Sequence, residues 1–312
     1  MILLTSSFHL LLLARFLQAI GACGTLVVVL AIIRDSYTSE SIVKVTGVLF
    51  AVLGFVPALA PLLGALIAEH SSWRMDFLLL VITAAGILLF VMLFFRESIS
   101  EKNAHALKVS VSLQYYWKLL RIKPFLGFIL TSGFSYASFF TFMCASPHLI
   151  MQHFGLSMTD YGLIIALNAV GIIAVGFMMP LLSRRFSSPG MAVFGAMLLF
   201  IGAVLLVILN VFVSSDNLYT LLVPIFIVFT GVGFVRPTAS AGALTTAPKE
   251  IAGFASALFS FFSFVGGAIF SLTGHYAGLH PLHLGWLLVL TAVLALVSAV
   301  YAYRSIRATD RD

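Results

Sequence analysis

Charged residues are scarce in this chain of 312 residues, where Asp, Glu, Lys and Arg together account for 9% of the positions. Ordinary soluble domains are about 25% charged, so this composition excludes a soluble enzyme or a soluble binding domain. Hydrophobic residues account for 61% of the chain, and the mean hydropathy is +1.13. We therefore interpret the chain as an all-α, polytopic membrane protein that lies in a lipid bilayer.

Cysteine pairs and the motifs of soluble enzymes are also missing. The two cysteines, Cys23 and Cys144, each lie within an apolar segment, and we interpret them as small buried hydrophobic residues rather than a disulfide or metal site. The patterns HExxH, GxSxG and GxxxxGK[ST] do not occur. A GxG pattern begins at Gly231, but its sixth position is Arg236 and it lies in an apolar run. The sequence thus predicts no enzyme, cofactor or metal site.

Apolar runs of membrane-spanning length occur along the whole chain. A helix needs about 20 apolar residues to cross a bilayer. By this criterion we predict nine spans: Phe8–Ile33, Ile42–Ala68, Met75–Phe95, Phe125–Ile150, Tyr161–Leu182, Gly190–Val213, Leu218–Leu244, Ala252–Thr273 and Leu284–Tyr303.

One connection, Arg96–Lys123, is long and basic. It contains the segment Val111–Leu120, which fits an amphipathic helix at the membrane surface or a plain tether. The remaining connections are short and polar.

The basic residues predict the orientation of the chain. Alternating the nine spans places fourteen of the 17 Lys and Arg residues on one side, only Arg74 on the other, and Arg15 and Arg236 within spans. Because Lys and Arg accumulate in cytoplasmic loops, we expect a cytoplasmic C-terminus. The net charge of +6 is explained by these loops and requires no nucleic-acid partner.

Several segments together resemble one transporter family. Arg15 and Gln18 lie in the apolar run Leu10–Gly24, and further matching segments follow in family order: Ala31–Asp35, Gly54–Ala65, Trp73-Arg74, Ala145–Pro147, Phe154–Ser157, Gly231–Ala239 and Ala252–Ala257. The chain resembles the major facilitator drug–proton antiporters of the bicyclomycin and chloramphenicol resistance (Bcr/CflA) type. Two positions depart from the family pattern. Ala65 stands where the antiporter motif usually has its second glycine, and Ala19 stands where the segment around Arg15 usually has a glycine.

The resemblance implies two halves of six helices, with the first span corresponding to the fourth helix of the family. Residues 1–95 are then three helices of an N-terminal half, residues 96–123 the central cytoplasmic loop, and residues 124–312 the C-terminal half. We therefore expect the first three family helices, about 75–85 residues at some 20 residues per span, to be absent from this sequence. A misplaced start, gene decay and a true fragment are the alternatives.

The implied function is proton-coupled efflux of small hydrophobic drugs across the bacterial inner membrane, by a monomer. Against it, all eleven Asp and Glu residues fall in loops, tails or span ends, although an antiporter needs a titrating group in its path. The histidines do not clearly replace an acid; His148 is the best titratable candidate, with an interfacial role as the alternative. A non-transporting membrane fragment, or a partner protein from a degraded transporter gene, is the alternative function.

Four polar residues within spans are candidates for the proton and substrate path. The resemblance places Arg15 and Gln18 there, with snorkelling of Arg15 to the outer surface as the alternative. Arg236 is either a substrate contact or a cation snorkelling to the cytoplasmic side. Asn168 is either a substrate contact or a hydrogen-bonding link between helices.

The antiporter motif and an aromatic cluster complete the prediction. The motif residues are Gly54, Pro57, Ala60, Pro61 and Gly64, which indicate either a bent helix lining the interface between halves or a kinked packing helix. Ala60 and Gly64 also form a small-residue face. For the substrate cavity we predict Tyr136, Phe139, Phe140, Met143 and Phe262, with lipid-facing positions as the alternative.

Overall fold

The computed structural model describes residues 7–94, 109–213, 217–277 and 280–309. Within these ranges nine helices are long and apolar enough to cross a membrane, which confirms the nine predicted spans. With one shorter helix, the elements are α1 (Phe8–Ser36), α2 (Ser39–His70), α3 (Trp73–Phe94), α4 (Val109–Leu120), α5 (Lys123–Pro147), α6 (Met158–Leu182), α7 (Ser188–Phe212), α8 (Tyr219–Thr246), α9 (Ala252–Ala277) and α10 (Pro281–Thr309).

Helix α4 is the amphipathic segment of the long connection. The rings of Tyr115 and Tyr116 lie 5.1 Å and 5.4 Å from the ring of Phe254 at the start of α9. Leu119 is fully buried, whereas Trp117 is exposed. Because one face packs on the bundle and the other does not, this segment is a docked surface helix rather than a plain tether. The preceding residues 95–108 lie outside the described part, and the division of the chain at 96–123 stays a prediction.

Glycine allows several helices to touch backbone to backbone. A Cβ atom on Gly176 of α6 would lie 2.8 Å from the Cα of Ala51 and 2.8 Å from the carbonyl oxygen of Gly47, both on α2. A Cβ on Gly231 of α8 would lie 2.7 Å from the carbonyl oxygen of Gly195 on α7. In lipid, where apolar burial does not drive helices together, such close approach supplies the packing energy.

The connection from α5 to α6 is built by local sequence. A short π-helix, His148–His153, continues α5, and Gly155 then adopts a φ of +66°. The side chain of Ser157 accepts a hydrogen bond from the backbone N–H of Asp160, and the Asp160 carboxylate accepts one from the backbone N–H of Ser157. This capping box fixes the start of α6.

The helices form a bundle in which α1 and α2 pack against the second part of the chain, which comprises helices α5 to α10. Helix α10 packs against α5 and α7, α9 lies along α5, and α8 contacts α5, α6 and α7. Helix α2 lies along α6 and α8, and α1 contacts α9. Helix α3 is peripheral, with every side chain from Leu79 to Phe94 exposed.

The two cysteines are exposed, contrary to the prediction that they are buried. Cys23 lies on α1 and Cys144 on α5, on helix surfaces that none of the described helices covers. In a bilayer the lipid supplies the apolar surroundings that a protein core would supply in water, so apolar sequence context does not imply burial within the protein.

One end of the bundle is closed by contacts of α1 with α8 and α9. We call it the Arg34 end, where α1, α6, α8 and α10 end and α2, α7 and α9 begin. Arg34, itself 6% exposed, donates a hydrogen bond from Nη2 to the carbonyl oxygen of Ala247 at 3.3 Å. The hydroxyl of Ser256 donates to the carbonyl oxygen of Val27 at 3.1 Å. These contacts join α1 to the second part of the chain at this end.

Candidate substrate cavity

A cavity of about 550 Å³ lies between α1 and α2 on one side and α5, α6, α8 and α9 on the other. Its volume is in the range of cavities that hold drug-sized ligands. Among the described residues that line it, the polar side chains are Thr25, Tyr136 and Arg236, and only Arg236 is charged. The apolar lining comprises Ala22, Leu26, Val29, Leu49, Phe50, Leu53, Gly54, Val56, Ala60, Pro61, Phe139, Phe140, Met143, Ile172, Val232 and Phe264.

Aromatic rings of α5 form one wall. Tyr136, Phe139, Phe140 and Met143, which were predicted as cavity residues, all line the cavity. The ring centroid of Tyr136 lies 5.7 Å from that of Phe139 and 5.2 Å from that of Phe140, in stacked and edge-on arrangements respectively. These rings therefore form one continuous surface that suits a flat apolar ligand.

Phe262 does not belong to this wall, and Phe264 takes its place. The backbone of Phe262 packs on α5, where a Cβ on Gly133 would lie 2.9 Å from the Phe262 carbonyl oxygen. Phe264 lines the cavity, with its ring 5.8 Å from that of Tyr136. Two positions along a helix correspond to a rotation of about 200°, so these two side chains point to opposite faces. A run of phenylalanines in sequence cannot show which of them faces the cavity.

Arg236 is buried in the cavity wall. It is 3% exposed, and its guanidinium carbon lies 3.6 Å from the ring centroid of Tyr136 and 4.9 Å from that of Phe50. The ring of Phe259 is 5.6 Å away. Each cation–π contact of this kind is worth about 1–2 kcal/mol when the cation is desolvated. The alternative that Arg236 snorkels to the membrane surface is therefore wrong.

The hydrogen bonds of Arg236 leave its charge only partly compensated. Nη1 donates to the hydroxyl of Ser132 at 3.0 Å, and that oxygen lies 2.8 Å from the hydroxyl oxygen of Ser263. Nη2 is buried and has no hydrogen-bond partner, and no carboxylate of the described residues forms an ion pair with Arg236. Desolvating a charge costs several kcal/mol, so the site favours an additional acceptor or anion.

Arg15 and Gln18 lie outside the cavity. Both are exposed, and Nη1 of Arg15 donates to Oε1 of Gln18 at 3.1 Å. The guanidinium carbon of Arg15 also lies 4.5 Å from the ring centroid of Phe77 on α3. The helical spacing places both residues on the same face of α1 as Ala22, with Arg15 about 10 Å further from the Arg34 end. They continue the α1 wall of the cavity beyond its rim.

Among the described residues, Asn168 forms no hydrogen bond to another helix, and the substrate contact predicted for it stays a prediction. It is 1% exposed and donates from Nδ2 to the carbonyl oxygen of Ile164 at 2.8 Å, one turn back in its own helix. Its Oδ1 has no partner among the described residues, and Asn168 does not line the cavity. Its amide is therefore used locally rather than between helices.

The predicted antiporter motif lies in the second half of α2. Gly54, Ala60 and Pro61 line the cavity, as expected for a helix at the interface between the two parts of the chain. A Cβ on Gly64 would meet no described atom within 4 Å. Among the described residues, no helix therefore packs on the small-residue face predicted at Gly64. The backbone of Pro57 is part of α2, but its side chain lies outside the described part.

The prediction missed two groups of residues. Phe50 and Thr25 line the cavity, and helical spacing from Gly54 and from Ala22 places them on the same faces, so this signal was present in the sequence. Ser132, which accepts a hydrogen bond from Arg236, and Ser263, which lies against Ser132, carried no such signal. Serines are common in packed membrane helices, and only the fold brings Ser132 within reach of the guanidinium.

Comparison with known proteins identifies the family. Residues 1–271 match the family model of the Major Facilitator Superfamily. The chain belongs to the major facilitator superfamily.

Named bacterial relatives within this superfamily are transporters and resistance proteins. The chain is 31% identical over 244 residues to a chloramphenicol resistance protein of Pseudomonas aeruginosa, which covers 77% of the chain and 56% of that protein. It is 32% identical over 164 residues to the multidrug transporter MdfA of Edwardsiella piscicida, which covers 52% of the chain and 40% of that transporter. The chain thus spans about half the length of these two relatives.

A solved structure shows the same major facilitator fold. The crystal structure of the human organic anion transporter MFSD10 (TETRAN) superposes with a TM-score of 0.70, covering 96% of this chain and 72% of that one, at 16% sequence identity. At this identity the likeness establishes the fold alone. Together with the nine apolar helices of the described residues, it makes this chain a multi-pass membrane protein of the major facilitator fold.

Proposed function

We propose that this chain forms the drug-binding and translocating part of a multidrug exporter of the Bcr/CflA type. The observation that carries the proposal is the cavity between α1 and α2 on one side and α5, α6, α8 and α9 on the other, which has an apolar lining and an aromatic wall. Such a lining binds hydrophobic molecules of many shapes, because apolar contacts impose little directional requirement. The names of the chloramphenicol resistance and multidrug relatives support the same substrate class.

The proposal places the chain in a bacterial inner membrane, as a monomer, with the Arg34 end and the C-terminus in the cytoplasm. The fourteen basic residues on one side of the spans support this orientation. The contacts of Arg34 and Ser256 then close the cytoplasmic end, and export would require the two parts of the bundle to rock apart there. A C-terminal alkaline phosphatase fusion tests the orientation, since the enzyme is expected to be inactive in the cytoplasm.

Coupling to proton entry is part of the proposal. Arg15 and Gln18 continue the α1 wall beyond the cavity, so they would lie along a path from the far end to Arg236. The described spans hold no carboxylate at mid-membrane depth. That observation favours a second candidate function, a membrane fragment or partner protein that does not transport by itself.

Dye accumulation in cells distinguishes the two candidates. The chain is expressed in a bacterial strain without major exporters, and uptake of a hydrophobic dye is followed with and without a protonophore. We expect lower accumulation with the chain, and recovery to the control level after the protonophore. Unchanged accumulation with folded protein in the membrane would contradict autonomous export and favour the second candidate.

Two tryptophan variants of α1 provide a matched control. Ala22→Trp places an indole in the cavity, because Ala22 lines it. This variant should block export, so that dye accumulation returns to the level of cells without the chain. Ile20→Trp adds an indole to a residue that is 58% exposed and does not line the cavity. It should leave export unchanged. If both variants change dye accumulation equally, export does not depend on this cavity.

A further inference from the structure

The charge in the described lining of the cavity is positive. Arg236 is the only charged residue among the described lining residues, and an arginine stays protonated at any physiological pH. Its Nη2 is buried and has no hydrogen-bond partner in the described part of the chain. A guanidinium in this setting gains most from a ligand that brings an anionic or strongly accepting group.

We infer that the cavity selects amphipathic organic anions: molecules with an apolar aromatic body and one carboxylate, sulfonate or phosphonate group. This inference rests on the proposed function and names the substrate class of the same cavity. The anionic group would bind the guanidinium of Arg236, and the aromatic body would lie on the wall of Tyr136, Phe139 and Phe140.

The guanidinium of Arg236 is fixed in position, which supports its role in binding the anionic group of a ligand. Ser132 accepts from Nη1 and is itself linked to Ser263, so one side of the fork is fixed by the protein. Nη2 remains for a ligand, and a hydrogen bond from a charged donor to an oxyanion is about twice as strong as one between neutral groups. Because only 3% of Arg236 is exposed, we expect the Tyr136 ring to shift when the anion binds.

The surroundings disfavour lipophilic cations. A cation in an apolar cavity is stabilised most by a carboxylate, and by an aromatic face only where no other cation lies close to it. No carboxylate lines the described cavity, and the ring of Tyr136 is already occupied by the guanidinium at 3.6 Å. A cationic ligand would meet a desolvated like charge instead.

Arg15 adds a second positive charge on the path that leads to the cavity. It lies on the cavity face of α1 beyond Ala22, and its described polar partner is the neutral side chain of Gln18. Two cations that have no carboxylate partner among the described residues, one beyond the rim and one in the wall, attract anions along this path.

Binding of three matched probes tests the inference. The full chain is purified in nanodiscs of zwitterionic phosphatidylcholine, and the affinities of 2-naphthalenesulfonate, 2-naphthalenemethanol and 2-naphthylmethylammonium are measured against empty nanodiscs. We expect the sulfonate to bind about tenfold to a hundredfold more tightly than the neutral probe, as a charge-assisted hydrogen bond provides. The ammonium probe should bind most weakly.

Variants assign the preference to Arg236. Arg236→Gln keeps a donor for Ser132 and should remove most of the sulfonate preference while sparing the neutral probe. Arg236→Lys should retain part of it, and Arg184→Gln, at an exposed arginine outside the cavity, should retain all of it. If Arg236→Gln does not fold, the ranking of the probes on the unmodified chain and on Arg236→Lys decides.

The outcomes separate this inference from the proposed function. Equal binding of all three probes, or an unchanged sulfonate preference in Arg236→Gln, overturns the anion selectivity and leaves a drug cavity. If no probe binds to the folded chain, the proposed cavity function fails as well.

Discussion

The guanidinium carbon of Arg236 lies 3.6 Å from the ring centroid of Tyr136, within the wall of the central cavity. Arg236 comes from α8 and Tyr136 from α5, so the pair links two helices that line the cavity. The same ring contacts Phe139, Phe140 and Phe264. One tyrosine therefore stabilises a buried charge and also forms the surface that we propose for the ligand.

Replacing the ring of Tyr136 should destabilise the chain, whereas removing only its hydroxyl should not. Tyr136→Leu loses the cation–π contact and should cost about 2 kcal/mol. Tyr136→Phe keeps a ring over Arg236 and should cost less than about 1 kcal/mol. Thermal unfolding of the detergent-solubilised variants measures the difference. Equal destabilisation by both would mean that the stacked ring does not support the guanidinium.

The contact between α2 and α6 should tolerate no added methyl group at Gly176. Gly176→Ala would bring its Cβ to 2.8 Å from the Cα of Ala51, and overpacking of this kind costs about 1–3 kcal/mol. Gly86→Ala on α3 is the matched control, because its Cβ would meet nothing within 4 Å. The control should be neutral or slightly stabilising, since alanine favours helix over glycine by about 1 kcal/mol. The same melting assay compares them, and a Gly176→Ala variant as stable as the control would contradict the packing described here.

Much of the fold could be predicted from the sequence. The recurrence of apolar runs determines the number of spans, because each crossing needs about 20 such residues, and all nine predicted spans overlap helices of the structure. Helix ends were less predictable. Helix α5, for example, continues into the π-helix His148–His153 beyond Pro147, since the bonding pattern of a last turn depends on its tertiary contacts.

The Arg34 end should open when Arg34 is changed. Thr46, at the start of α2, is fully buried, and its hydroxyl lies 3.3 Å from the carbonyl oxygen of Pro237 on α8. In a background with Cys23 and Cys144 replaced by alanine, Thr46→Cys should react slowly with N-ethylmaleimide. Adding Arg34→Gln removes a charge-assisted bond worth about 1.5–3 kcal/mol and should accelerate the reaction by about tenfold to a hundredfold.

Arg184→Gln is the control for this labelling experiment, because Arg184 is an exposed arginine in the turn between α6 and α7. It should leave the labelling rate of Thr46→Cys unchanged. If Thr46→Cys already reacts as fast as a cysteine placed at exposed Arg184, the Arg34 end is not closed as described.

The cavity could be predicted only in part. The aromatic run of α5 pointed to Tyr136 and Phe139, and the resemblance pointed to Pro61; all three line the cavity. The buried state of Arg236 could not be read from its position near a span end, because it depends on Ser132 and on rings from three other helices. Likewise, sequence placed Arg15 in a membrane span but could not show that it is exposed beyond the cavity rim.

Photoaffinity labelling tests the central claim, that the cavity between α1–α2 and α5–α9 holds the ligand. The purified chain is irradiated with a naphthyl probe carrying a diazirine, and the sites of insertion are mapped by mass spectrometry. The account predicts insertion within Tyr136–Met143 of α5 and Ala22–Val29 of α1, reduced by excess unlabelled ligand and by Ala22→Trp. Labelling restricted to exposed residues of α3, and unaffected by either, would contradict it.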